Sequence, residues 1–145
     1  MSTSDSTAKI ANHPIHPMLV SFPIAAFVGT LVVDIAYLQT RDLFWFTASK
    51  YLLGAGLVMA ALAAIAGLID FIGSTRVRSL TAARVHAVGN VAVVGIELWN
   101  LLLRATPEAV AGMGVASSSL AVAVLLITGW MGWEMVYRHK VAVED

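Results

Sequence analysis

Charged side chains are clustered along the chain and leave long apolar gaps between the clusters. No Asp, Glu, Lys or Arg stands between Lys9 and Asp34, between Lys50 and Asp70, or between Glu108 and Glu134. A helix rises about 1.5 Å per residue, so each gap holds the roughly 20 residues that cross the hydrocarbon core of a bilayer. The pattern predicts four spans, near residues 17–38, 51–72, 84–104 and 115–137, the third interrupted by Glu97. Turn-forming stretches separate them at Gln39–Asp42, Gly73–Arg78 and Ala105–Gly114, the last containing Thr106 and Pro107. The expected fold is all-α: an integral membrane four-helix bundle of antiparallel up-down hairpins. A polar tail over 1–12, a single transmembrane domain over 13–140 and a tail over 141–145 complete the organisation. Met1–Lys9 carries one basic residue and three further spans follow, so the first apolar stretch reads as a retained span rather than a cleaved signal.

Composition narrows the setting. Of 145 residues, 59% are hydrophobic and 12% charged, with a mean hydropathy of +0.81. Soluble domains carry about 25% charged residues, and a soluble core in a 15.4 kDa chain has too little interior to hide this much apolar surface. Nine Lys and Arg balance nine Asp and Glu, so no basic excess is present to hold a nucleic acid. The absence of Cys excludes disulfides, a cysteine-ligated iron–sulfur cluster and a thiol nucleophile. No P-loop, GxSxG, HExxH or GxGxxG motif appears, so an enzymatic role has no motif behind it and stays an open question.

Four spans put both termini and the loop between the second and third spans on one side, with Lys9, Arg76, Arg78, Arg84, Arg138 and Lys140. The other side carries Arg41, Lys50 and Arg104. The positive-inside rule then places both termini in the cytoplasm. The lipid bilayer is the first partner, and a homo-oligomer is compatible with the sequence.

All four histidines belong to the same side. His13 and His16 enter the first span, His86 enters the third and His139 leaves the fourth. Neutral imidazoles from separate helices are axial ligands for a b-type haem, or ligands for copper or zinc, with His16 and His86 the preferred pair. His13 extends the candidate metal set, His139 is a further cofactor candidate, and Arg76, Arg78 and Arg84 would meet haem propionates. The structural reading is also open: the His-Pro pairs make a stiff helix entry, His139 is interfacial positive charge, and no cofactor is bound.

The third span carries a polar stripe: His86, Asn90, Glu97, Asn100 and Arg104 lie within about 80° of helical arc. In lipid such a stripe faces protein or a water-filled cavity. It marks either a proton or redox path or a hydrogen-bond network that holds the helices together. Asp34 ends the first span, and Asp70 ends a small-residue strip of Gly56, Met59, Ala63, Ala66 and Gly67 on the second. Glu134 and Arg138 read as a salt bridge at spacing four. The intervals Asp34 to Arg41 and Glu97 to Arg104 are equal, a faint echo between the two helix pairs.

Three stretches carry a family resemblance: His13-Pro14-Ile15-His16-Pro17-Met18-Leu19-Val20-Ser21-Phe22-Pro23, then Gly67-Leu68-Ile69-Asp70-Phe71, and finally Gly129-Trp130 through Val136-Tyr137-Arg138-His139. Over about residues 12 to 143 the chain resembles the bacterial domain of unknown function 2231. The resemblance implies a four-span membrane protein, and its pattern points to His13, His16, Asp70, His86 and His139. Relatives joined to Rieske-type or sugar-dehydrogenase modules imply electron transfer. Where many relatives have a further His this chain has Ser21, and where they have a Gly-rich ending it has Trp133 and Lys140. The leading expectation is one b-type haem or metal held by the His cluster, exchanging electrons with a quinone or a redox partner protein. The alternative is a non-redox membrane subunit or proton-coupled transporter built on Asp34, Glu97 and the stripe.

Overall fold

The computed structural model describes residues 7–11 and 13–141, so the expected tails lie largely outside the described residues. A short antiparallel pair, β1 (Lys9–Ile10) and β2 (His13–Pro14), turns at Ala11 in the left-handed region and enters α1 (Ile15–Leu19). With α2 (Ser21–Thr40) this makes a first span of 26 residues. The break between α1 and α2 falls at Val20, three residues before Pro23. Pro23 sits in the first turn of α2, where a helix has no intrahelical use for the missing N–H.

Asp42 starts α3 (Leu43–Gly73), its carboxylate accepting the Phe44 N–H at 2.8 Å. The loop expected at Gly73–Arg78 contains a one-turn helix, α4 (Thr75–Ser79), capped by the Ser74 hydroxyl on the Val77 N–H at 3.2 Å. The third span is α5 (Thr81–Leu103). The fourth begins earlier than its apolar run. Pro107 opens α6 (Pro107–Ala109), a π-helical turn over Val110–Gly114 follows, then α7 (Val115–Trp133) and a second π-helical turn, Glu134–Arg138. Proline is favoured at a helix's first position, where its missing N–H has no intrahelical partner to lose. Pro107–Arg138 thus forms one segment of 32 residues.

The four helices are each long and apolar enough to cross a membrane. The first packs along the second and the third along the fourth; the first also meets the fourth, and the second meets the third, leaving the first and third spans on a diagonal. Polarity is inverted relative to a soluble bundle. Leu126 and Val91 are each 74% exposed, while Asp34, Ser49, Glu97, Asn100 and Ser118 are fully buried. Only lipid covers such an outer surface without cost. Phe27, Leu53, Ala60, Val93 and Ala121 form the apolar middle.

The two hairpins are internal repeats. Buried Pro23, Phe27, Thr30 and Asp34 of the first span correspond to buried Val93, Glu97, Asn100 and Arg104 of the third, all at the interval of 70 residues that separates Asp34 from Arg104. His16 and His86 share that interval. Ser49, Leu53, Gly56 and Ala63 of the second span pair likewise with Gly114, Ser118, Ala121 and Thr128 of the fourth, at one constant interval. The halves therefore relate by an approximate two-fold axis along the bundle. The register differs from the sequence echo: Asp34 answers Arg104, and Glu97 answers Phe27. The correspondence is one of burial pattern rather than of residue type, which is why side-chain identities largely hide the repeat.

A Cβ on Gly56 would stand 2.7 Å from the Phe27 ring, whereas one on Gly54 meets nothing within 4 Å. Gly56→Val should therefore cost about 1–3 kcal/mol through overpacking, and Gly54→Val almost nothing, as measured by unfolding in mixed micelles of mild and denaturing detergent.

Candidate functional site

Two polar sites lie toward opposite ends of the bundle. At the end away from the termini, Arg104 leaves the third span and its guanidinium forks onto Asp34 of the first, Nη1 to Oδ1 at 2.5 Å and Nη2 to Oδ2 at 2.6 Å. Nη1 also donates to Ser49 Oγ of the second span at 2.6 Å, and Nη2 to Ser118 Oγ of the fourth at 3.1 Å. Ser118 in turn donates to Asp34 Oδ2 at 2.9 Å, and Arg104 Nε donates to Asn100 Oδ1 at 3.1 Å. One ion pair thus receives a ligand from every span. Both side chains have no exposure, and their polar atoms are matched, the condition under which a buried charge pair is tolerated.

Glu97 lies beside this network. Its Oε2 accepts from Asn100 Nδ2 at 2.8 Å, but Oε1 is buried with no hydrogen-bond partner among the described residues. Arg104, two turns away on the same helix, is committed to Asp34 instead. The stripe is therefore not one continuous path. Val93, on the same face, belongs to the apolar middle with Phe27, and Asn90 sits on the other side of it, donating to the His86 carbonyl at 2.8 Å and lying 3.5 Å from Thr128 Oγ1.

At the end near the termini, His16 and His86 meet across the diagonal with ring centroids 6.0 Å apart and planes at 87°. His16 Nδ1 is 2.8 Å from the Ala63 carbonyl on the second span; His86 Nδ1 is 2.8 Å from the Thr128 carbonyl on the fourth. A carbonyl only accepts, so each Nδ1 carries the hydrogen, and in a neutral ring Nε2 keeps its lone pair. The two-fold relation extends to the support. Four residues beyond each carbonyl stands a glycine against which the ring rests: a Cβ at Gly67 would be 2.8 Å from His16 Nδ1, and one at Gly132 would be 3.3 Å from His86 Cε1.

The remaining candidates lie elsewhere. His13 is exposed, its Nδ1 2.8 Å from the Ala11 carbonyl, beside a groove of Pro14, Pro17, Met18, Val136 and Val141. His139 lines a separate groove with Ser79, Leu80, Thr81, Ala82, Met131 and Glu134. Among the described residues no group of three or more His, Cys, Asp or Glu comes together as a metal set. Asp70 Oδ1 accepts the backbone N–H of Thr7 and Ala8 at 2.7 and 2.8 Å, tying down the entry strand. Arg84 is exposed and about 200° around α5 from His86, so it does not flank the imidazoles. Glu134 and Arg138 form the expected pair at 3.0 Å.

Sequence reading missed Ser49, Ser118, the two carbonyls and the role of both glycines. Ser118 lies in a run of three serines inside an apolar stretch, a visible signal; backbone carbonyls leave none. Residues 12–145 match the family model described as "Predicted membrane protein (DUF2231)". The chain belongs to this family. No curated protein and no solved structure matches it. As a DUF2231 protein it is a multi-pass membrane protein, and the two buried sites are what its four spans enclose.

Removing either partner of the Asp34–Arg104 pair should destabilise this DUF2231 protein by about 3–5 kcal/mol by stranding the other charge. The double change Asp34→Leu with Arg104→Met should recover most of that loss in the same detergent titration. Gly67→Ala should push the His16 ring off the Ala63 carbonyl and move its imidazole ¹⁵N resonances, with a smaller shift of His86 in Gly132→Ala.

Proposed function

We propose that this protein holds one metal centre at His16 and His86 near one membrane face, a b-type haem in the first instance, and exchanges electrons with a quinone or a redox partner protein. The carrying observation is the pair itself: two imidazoles from diagonal helices, 6.0 Å apart, with each Nδ1–H fixed on a backbone carbonyl. That hydrogen bond sets the tautomer and orientation of metal-ligating histidines and raises the basicity of the ligating nitrogen.

The residues fit the group in number: one imidazole comes from each hairpin, and in the neutral rings each Nε2 would be the nitrogen offered to a bound metal. Zinc takes four ligands, three or more from the protein, and no third His, Cys, Asp or Glu joins the pair among the described residues. A haem would need fewer ligands from the chain, and His16 and His86 would hold it. When bound, it would supply reversible one-electron chemistry. His16 and His86 hold and orient; Gly67 and Gly132 give the rings room against the helix backbones. One centre near one face does not carry electrons across the bilayer, so a partner is required. The excess of basic residues around that face supports a cytoplasmic location.

A second reading rests on the unpartnered Glu97 Oε1: a non-redox subunit or proton-coupled transporter in which this carboxyl takes up and releases a proton.

Protein expressed with ample haem should give a b-type reduced-minus-oxidised spectrum that disappears in His16→Ala and in His86→Ala and persists in His13→Ala and His139→Ala. Metal analysis separates haem iron from a copper or zinc ion at the same nitrogens. A colourless, metal-free protein overturns the redox reading. In that case Glu97→Gln should abolish proton-coupled transport or assembly in membranes while leaving the fold intact.

A further inference from the structure

The arch between the second and third spans is built from arginines whose use the fold does not exhaust. Arg78 Nη1 donates to the Ile72 carbonyl at 2.8 Å, and Arg84 Nε donates to the Arg78 carbonyl at 2.8 Å. The first bond ties the Arg78 side chain back to the end of α3, and the second ties the Arg84 side chain to the backbone of Arg78 just before α5 begins. A guanidinium has five N–H donors, and each of these bonds uses one. Neither group pairs with a carboxylate among the described residues, where the ion pairs are Asp34–Arg104 and Glu134–Arg138. Arg84 is exposed and Arg78 half-exposed, at the level where two spans leave the hydrocarbon. Toward the membrane from them, the same two helices expose Ile69, Ile72, Val85 and Val88.

From this geometry we infer a binding site for an anionic phospholipid, its phosphate held by Arg78 and Arg84 and its acyl chains lying along Ile69, Ile72, Val85 and Val88. Arginine's planar fork matches phosphate oxygens, and the backbone carbonyls that hold the two side chains reduce the ordering cost of binding. The apolar strip beneath selects a lipid over a free anion, because a soluble phosphate gains nothing from it. Juxtamembrane basic clusters between spans are the setting in which anionic headgroups bind. The site is independent of the histidine pair, since Arg84 points away from His86 and no redox centre enters the argument.

The test is native mass spectrometry of the full chain in mild detergent, titrated with phosphatidylglycerol or phosphatidylcholine. The wild-type protein should retain phosphatidylglycerol about tenfold more strongly than phosphatidylcholine, with the preference shrinking as salt rises. Arg84→Gln alone, and Arg78→Gln with Arg84→Gln, should reduce it to within about twofold, while Arg84→Lys keeps part of it. Arg41→Gln with Lys50→Gln, on the opposite face, should leave it unchanged. Because Arg78 also caps the α3 terminus, the single Arg84→Gln variant decides the matter if the double variant misfolds. Equal retention of the two lipids by the wild type, or an unchanged preference in Arg84→Gln, overturns the site. Displacement of the lipid by millimolar inorganic phosphate overturns its assignment to lipid by showing that the headgroup anion alone is the ligand.

Discussion

The bundle depends on one ion pair. Asp34 and Arg104 are completely withdrawn from solvent, and serines of the second and fourth spans complete their hydrogen bonding. In a bilayer the alternative to this arrangement is a carboxylate and a guanidinium facing hydrocarbon, which costs several kcal/mol for each charge. Hydrophobic burial gives no comparable drive, because lipid tails are as apolar as the helix surfaces they contact. The pair supplies register as well: a fork on a carboxylate fixes both rotation and depth, so the four spans have one way to complete it.

The same pair lies on the approximate two-fold axis relating the hairpins. At one end of that axis the equivalent positions hold unlike residues, Asp34 and Arg104, and their difference is what binds the halves. At the other end they hold like residues, His16 and His86, each supported by a carbonyl and a glycine of its own hairpin. Between the ends, Phe27, Leu53, Val93 and Ala121 form an apolar plug. The two polar sites are therefore separated by apolar packing, and no chain of hydrogen bonds joins them among the described residues.

Small residues set how closely the helices approach. Gly56 admits the Phe27 ring, Gly67 and Gly132 admit the two imidazoles, and Gly89 faces the Thr128 methyl so closely that a side chain there would collide with it. Each glycine thus places an aromatic or polar neighbour against backbone, which is how helices gain dispersion contact and shared hydrogen bonds in lipid.

The sequence by itself determined the number of spans, their approximate limits, the common side of the histidines and the inward turn of the third span. All of these follow from hydropathy and helical period, which are local properties of the chain. Family membership was legible in the His-Pro-x-His-Pro opening and the closing Tyr-x-His. Only the tertiary structure decided that Arg104 serves Asp34 rather than Glu97, and that His16 meets His86 while His13 and His139 stay apart. It also decided that the stripe is divided by Val93 and that the repeat runs through positions whose side chains differ. These are pairings between helices far apart in sequence, and many depend on backbone carbonyls, serine hydroxyls and absent Cβ atoms. Such partners leave little mark on hydropathy, so they become visible only when the spans are packed.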